Sequence, residues 1–129
     1  MTPEKTQQLF ATFPYLYRGR DKSPQESLMS WGFACGDGWF ELIWTLSRQI
    51  EDAARREGLE PQSAAWPEAT QVKEKFGTLR FHLRARTEAA AALIREAFEA
   101  SARTCEECGM PCAPVDDNAA SALCKHHAK

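Results

Sequence analysis

The C-terminal tail, residues 104–129, combines regularly spaced cysteines and histidines with very few large apolar side chains. A segment this polar cannot form a hydrophobic core of its own, so its order must come from another source. Cys105 and Cys108 form a C-x-x-C pair, and Cys124 and His127 form a C-x-x-H pair after fifteen intervening residues. Each two-residue gap lets two ligand atoms face one ion. The spacing therefore predicts a zinc site.

The sequence leaves two of the ligand positions open. Cys112 can replace one of the four residues, and His126 competes with His127. We favour the set given above because it gives both ligand pairs a two-residue gap. Three thiolates and one imidazole would close a tetrahedral shell, so we expect a structural site without an open position for an activated water. Free thiols beside an incidental histidine are the alternative to a metal site.

The length and composition of the chain indicate one globular domain. A chain of 129 residues, 43% hydrophobic and 26% charged, can bury a core without disulfide bonds. No apolar run approaches the roughly 20 residues that span a bilayer, and Met1–Lys5 lacks the basic start and apolar stretch of a secretory signal. We therefore expect a cytoplasmic protein without a membrane partner, whose cysteines are thiols or metal ligands. Cys35, beside apolar residues, is expected to be a small buried side chain.

Two long segments show the period of amphipathic helices. Apolar residues recur at steps of three and four over residues 39–53, with Asp37 as the expected N-cap and Gly58 as the expected stop. Thr87 is expected to cap a second helix over residues 88–102. These are the two main helices of the predicted fold.

An alternating pattern predicts a β-hairpin over residues 70–86, which reverses at Phe76–Gly77, where glycine can take a positive φ. The other expected elements are a short helix over residues 2–13, a strand over Leu28–Cys35 and a loop over Glu60–Glu68 that buries Trp66.

Together these elements predict an α+β fold, with two main helices packed on a small, mostly antiparallel sheet. Residues 1–103 would form the core, and residues 104–129 would form a zinc-stapled tail packed on the same domain. Because only the core has enough apolar residues to order itself, we expect zinc removal to loosen the tail and spare the core.

The predicted hairpin carries a concentration of positive charge. Residues 71–86 have a net charge of +4, which leaves −6 for the rest of a chain whose net charge is −2. Such a face can bind phosphate groups, nucleic acid or an acidic partner surface, or it can simply be a solvated strand face. We call these residues the basic face: Lys73, Lys75, Arg80, His82, Arg84 and Arg86.

No set of residues in the sequence indicates a catalytic site. There is no serine elbow, and His82 is an isolated candidate base. The turn at Gly36-Asp37-Gly38 could bind an anion through its amides, but it lacks the Walker and dinucleotide patterns. The simpler interpretation is a tight turn with Asp37 as a helix cap and a buried Trp39. A small enzyme that uses His82 or this turn is the minority alternative.

Four sequence blocks carry a resemblance to known proteins. The blocks are Cys35–Phe40 (CGDGWF), Gln71–Phe81 (QVKEKFGTLRF), Thr104–Gly109 and Leu123–His127. On these blocks the chain resembles a family of small bacterial, phage and prophage proteins of uncharacterised activity. The resemblance implies a phage or mobile-element context but no activity. The tail also resembles a treble-clef-type zinc knuckle, in which the second ligand pair would begin a short helix.

The leading hypothesis from these observations is a non-catalytic binding protein. In the family context, it would be a phage or prophage accessory factor that docks on a host protein or complex and inhibits a defence system. The alternative is a nucleic-acid-binding protein that uses the basic face.

Overall fold

The computed structural model describes residues 1–113, 123, 124 and 127. Over these residues the chain forms an α+β fold with three α-helices and one three-stranded mixed sheet of order β1-β2-β3, which confirms the predicted class. The elements are α1 (Pro3–Thr12), β1 (Phe33–Ala34), α2 (Phe40–Arg56), β2 (Glu68–Lys75), β3 (Thr78–Arg84) and α3 (Glu88–Ser101). No helix in this part of the chain has the length and apolar character needed to cross a bilayer.

Helix α2 has the predicted apolar stripe, which buries Ile43, Leu46 and Ile50 in the core. The predicted N-cap was wrong, because the Asp37 carboxylate accepts a hydrogen bond from the backbone N–H of Thr2 (2.8 Å) instead. A 3-10 turn over Asp37–Trp39 precedes the helix, and no side chain caps it. Asp37 therefore links the N-terminal segment to the start of α2 and does not act as the N-cap of that helix.

Helix α3 begins as predicted, with the Thr87 hydroxyl accepting a hydrogen bond from the N–H of Ala90 (3.1 Å). At its other end, the Ser101 hydroxyl accepts from the N–H of Leu79 (2.8 Å). This bond satisfies a backbone donor on the outer edge of β3. The C-terminal end of α3 is thereby fixed beside the start of β3.

Strands β2 and β3 form the predicted antiparallel hairpin, with Val72 opposite Phe81 and Lys73 opposite Arg80. Both residues of the tight turn have positive φ, +54° at Phe76 and +79° at Gly77, as a type I′ turn requires. Because side chains alternate across a strand, Val72 and Phe81 enter the core while Lys73 and Arg80 lie on the opposite face.

The strand predicted over Leu28–Cys35 was mostly wrong. Only Phe33–Ala34 pairs with β2, and it does so in parallel, while Met29–Trp31 forms a 3-10 turn. Gly32, directly before β1, has a φ of +80°. This conformation is not extended, so the strand cannot continue towards Leu28. The predicted burial of Trp66 is confirmed, since this side chain is fully enclosed.

Candidate metal centre

The first ligand pair lies on a tight backbone knuckle directly after α3. The N–H of Cys105 donates to the carbonyl of Met110 (2.7 Å), and the N–H of Gly109 donates to the carbonyl of Cys105 (2.8 Å). Gly109 adopts a φ of +81°, a conformation that favours glycine. The N–H of Cys112 then bonds to the carbonyl of Arg103 (2.9 Å), so the segment returns towards the end of the helix.

The four favoured side chains form one cluster. The ligand atoms of Cys105, Cys108, Cys124 and His127 all lie within 4.8 Å of one another. The Sγ atoms of Cys108 and Cys124 are 3.7 Å apart, and Cys105 Sγ lies 3.6 Å from Nδ1 of His127. Bonds of zinc length place neighbouring ligand atoms of a tetrahedral site about 3.5–3.8 Å apart. Cys124 Sγ and His127 Nδ1, at 3.1 Å, would separate slightly to reach that geometry. The cluster could therefore hold one metal ion.

The two open ligand positions have different outcomes. Cys112 is not a member of the cluster; it is half-buried and packs against the core. Burial, together with the nearby thiols of Cys105 and Cys124, raises the pKa of Cys112 and so disfavours its thiolate. His126 lies outside the described residues.

The backbone around Cys105 favours the form of the thiol that binds metals. Burial acts to raise its pKa, but hydrogen bonds from the backbone of Cys124, Cys108 and Glu107 act in the opposite direction and lower it to about 6. At neutral pH this sulfur is therefore largely a thiolate, the species that coordinates a metal ion.

The knuckle is held against the start of α2 by three hydrogen bonds that sequence reasoning missed. The N–H of Gly36 donates to the Glu106 carboxylate (3.0 Å), and the N–H of Gly38 donates to the Glu106 carbonyl (2.7 Å). The indole N–H of Trp39 donates to the carbonyl of Thr104 (2.9 Å). The CGDGWF and CEECG blocks therefore form one contact, through which the described start of the tail, residues 104–113, packs against the start of α2.

The same contact argues against anion binding by the turn at Gly36-Asp37-Gly38. The amides of Gly36 and Gly38 are used within the chain, by a side-chain carboxylate and a carbonyl of the same residue. Trp39 is fully enclosed, as the simpler interpretation predicted. Cys35 is buried as well, and burial raises the pKa of its thiol to about 12.

Two arginines of the basic face have partners within the chain. The Arg80 guanidinium lies over the Phe98 ring, 5.2 Å from its centroid. Arg84 donates to the carbonyl of Glu26 (2.8 Å) and lies 3.6 Å from the carboxylate of Glu68. The pKa of His82 is lowered by partial burial and then by nearby lysine and arginine side chains, so its imidazole is neutral at pH 7.

Glu68 is a buried acid that the sequence analysis did not single out. It is only 2% exposed, and its carboxylate lies 2.8 Å from Lys22 and 3.2 Å from Arg18 in addition to Arg84. Three partly exposed cations therefore neutralise one buried anion, which explains how this charge is tolerated inside the protein. The only signal in the sequence was an acidic residue beside the predicted hairpin, which does not reveal partners 46 and 50 residues away.

Comparisons with protein-family models, with curated proteins and with solved structures gave no significant match to this chain. The family resemblance carried by the four sequence blocks therefore stays a prediction.

Proposed function

We propose that the chain is a non-catalytic binding protein that contains a structural zinc ion and docks on an acidic surface of a protein partner through the basic face. The observation that carries the proposal is the closed Cys3His cluster, which offers four protein ligands to one ion. The family resemblance adds the hypothesis that the partner is a host protein or defence complex that a phage or prophage factor would inhibit.

The donor set supports zinc as the metal. Three thiolates and one imidazole are typical of structural zinc sites, and four protein ligands leave no position for a substrate or an activated water. Native mass spectrometry of protein purified without added metal should find one zinc ion per chain. Cys124→Ser should lose the ion, whereas the matched variant Cys112→Ser should retain it. Retention by both variants would contradict the ligand assignment.

The surroundings of the remaining reactive groups support a non-catalytic role. The raised pKa of Cys35 makes it a poor nucleophile at neutral pH. His82 is surrounded by Lys73, Lys75 and Arg80, which disfavour the imidazolium that a general base must form. Turnover of a defined substrate that a single substitution at His82 abolished would contradict this proposal.

The charges of the basic face favour a protein partner over nucleic acid. Arg84 is paired with Glu68, Arg80 and Lys75 lie over aromatic rings of the chain, and His82 is neutral, whereas Lys73 and Arg86 have neither an ion-pair nor an aromatic partner among the described residues. Tight binding to a nucleic-acid backbone commonly uses roughly 6–10 phosphate contacts. The available cations are fewer than that, but they suffice to complement a small acidic patch.

Charge reversal tests the docking face. A bait carrying Lys73→Glu and Arg86→Glu should lose the partner that the wild-type protein captures from a host lysate, at least tenfold by quantitative mass spectrometry. The control Arg56→Glu reverses an exposed charge on α2 and should leave capture unchanged. Equal capture by all three proteins would contradict docking through this face. Salt-sensitive binding of single-stranded DNA or RNA that the double variant loses would favour the nucleic-acid alternative instead.

A further inference from the structure

The tip of the hairpin presents an aromatic ring on strained backbone. Phe76 is 69% exposed, and its φ of +54° lies in the left-handed region that asparagine, aspartate and glycine normally occupy in this turn. Ala85 is the only other non-glycine residue with a positive φ among the described residues. A large apolar side chain held out in a costly conformation points to a function at this position, because neither packing nor turn chemistry requires it.

The turn is held rigid by its own side chains. The N–H of Gly77 donates to the Glu74 carboxylate (2.7 Å), and the Thr78 hydroxyl donates to the carbonyl of Lys75 (2.8 Å). The Lys75 ammonium lies 5.6 Å from the centroid of the Phe76 ring. The tip therefore presents a preorganised apolar ring with one positive charge beside it, which are the features of an interface anchor.

A depression with the complementary chemistry lies at the C-terminal end of α3. It has a volume of about 590 Å³. The residues that line it are Glu96, Phe98, Glu99, Ala100, Ala102 and Arg103. Its apolar side chains could receive a ring, and neither glutamate has an ion-pair partner among the described residues. The apolar part of this lining matches an aromatic ring and the two glutamates match a lysine, while Arg103 brings one positive charge to the same lining.

The tip and the depression are neighbours on one side of the molecule. The bond from the Leu79 N–H to Ser101 holds the start of β3 against the end of α3, and Arg80 lies over Phe98, which lines the depression. A tip and a receiving site within one patch form a self-complementary surface. A two-fold axis can then close both contacts at once, so that the assembly stops at a dimer.

We propose that a second copy of this chain occupies the depression: Phe76 of each copy inserts beside Phe98 of the other, and Lys75 pairs with Glu99 across the two-fold axis. This contact uses Lys75, which also belongs to the basic face, whereas the test of the docking function uses Lys73 and Arg86, so that the two proposals can fail separately. Each copy contributes one aromatic ring and one charge pair to the contact, so we expect a weak dimer that forms only at high protein concentration.

Sedimentation velocity of the zinc-loaded protein from 10 to 500 µM tests this contact. The wild-type chain should shift from monomer to dimer over this range. Phe76→Asn should weaken association at least tenfold and, because asparagine suits this φ, raise the melting temperature by about 3 °C. The control Ala85→Gly relieves strain of the same kind away from the tip and should dimerise like the wild type. A wild-type protein that stays monomeric at 500 µM, or a Phe76→Asn variant that dimerises equally well, overturns the proposal.

A charge exchange tests the geometry of the pair. Lys75→Glu and Glu99→Lys should each be monomeric, because each variant alone places like charges across the interface. An equimolar mixture of the two variants should dimerise again, since both contacts of the mixed pair are then complementary. A mixture that stays monomeric while the wild type dimerises would overturn the assigned pairing.

Discussion

Gly36 and Gly38 lie where the tail meets the start of α2, and their lack of a side chain allows that contact. A Cβ atom at Gly38 would lie 2.2 Å from the carbonyl oxygen of Cys105 and 2.6 Å from the amide nitrogen of Gly109. A Cβ atom at Gly36 would lie 2.4 Å from the carbonyl oxygen of Glu106. These are backbone atoms, which cannot move aside as a flexible side chain can. Close approach, rather than a positive φ, therefore explains both glycines.

Gly38→Ala should lower the free energy of unfolding of the metal-loaded protein by about 2–3 kcal/mol, the usual cost of inserting a methyl group into a packed contact. Denaturant unfolding measures this change. Chelation of the metal should shrink the difference, because a loosened knuckle no longer meets the new methyl group. Gly58→Ala is the matched control, since it has a φ of +78° and no neighbour within 4 Å. It should cost about 1 kcal/mol whether or not metal is bound. A metal-independent penalty at Gly38 would contradict this account.

At the scale of the elements, helix caps show how local chemistry competes with tertiary contacts. Thr87 caps α3 as predicted, and Thr2 caps α1 with a longer bond of 3.4 Å to the N–H of Lys5. Asp37 is an equally good capping residue by type, yet it bonds to the N-terminal segment instead. A cap is thus predictable from sequence only where no distant donor competes for the side chain.

Thr87→Ala should lower the free energy of unfolding by about 1 kcal/mol, since it leaves a helix N–H without its partner. Thr2→Ala, the matched control, should cost less, because its bond is longer and exposed to solvent. Thermal unfolding followed by circular dichroism gives both values. A larger loss from Thr2→Ala than from Thr87→Ala would show that capping strength does not follow these hydrogen-bond lengths.

Helix α2 also carries a buried acid, Glu51, which is 5% exposed. Its pKa is raised, mainly by burial and to a smaller extent by the negative charge of Asp52. Arg55, 3.5 Å away, and the Trp66 indole act in the opposite direction but do not outweigh burial. A raised pKa in the folded state means that protonated Glu51 stabilises the fold. That contribution is complete below the unfolded-chain pKa of about 4.3 and is lost as the pH rises through the higher folded pKa.

Glu51→Gln should therefore change how stability depends on pH. The variant stays neutral, so the wild-type free energy of unfolding should fall relative to that of the variant as the pH rises from 4 to 7. Denaturant unfolding at intervals of half a pH unit measures the two curves. Parallel curves over this range would contradict a raised pKa at Glu51.

At the scale of the whole molecule, the core and the tail are ordered by different forces. The core buries large side chains from α1, α2 and the sheet, among them Leu9, Ile43, Leu46 and Phe81, and α3 adds Ala90 and Ala97. The described part of the tail joins the core mainly through hydrogen bonds from the N–H groups of Gly36 and Gly38 and from the indole N–H of Trp39. Metal binding would therefore contribute folding free energy mainly to the tail and to the start of α2.

Metal removal should unfold the tail selectively. In hydrogen-exchange mass spectrometry, chelation should speed exchange of the amides of Cys105 and Gly109, which bond within the knuckle, and of Gly38, which bonds to it. Amides of the β2–β3 ladder should keep their protection. Loss of protection across the hairpin would show instead that the metal stabilises the entire fold.

The sequence by itself determined the features that depend on neighbouring residues. The periods of α2 and α3, the hairpin turn at Phe76–Gly77 and the ligand spacing of the tail are local patterns, because helix geometry, strand alternation and a two-residue knuckle are set within a few positions. Only the tertiary structure decided that Glu106 binds the amides of Gly36 and Gly38 and that Glu68 neutralises three cations. It also decided that the hairpin tip lies beside the end of α3. Each of these contacts joins residues far apart in the chain, where the packing of the core fixes which groups meet, and no local pattern in the sequence encodes that choice.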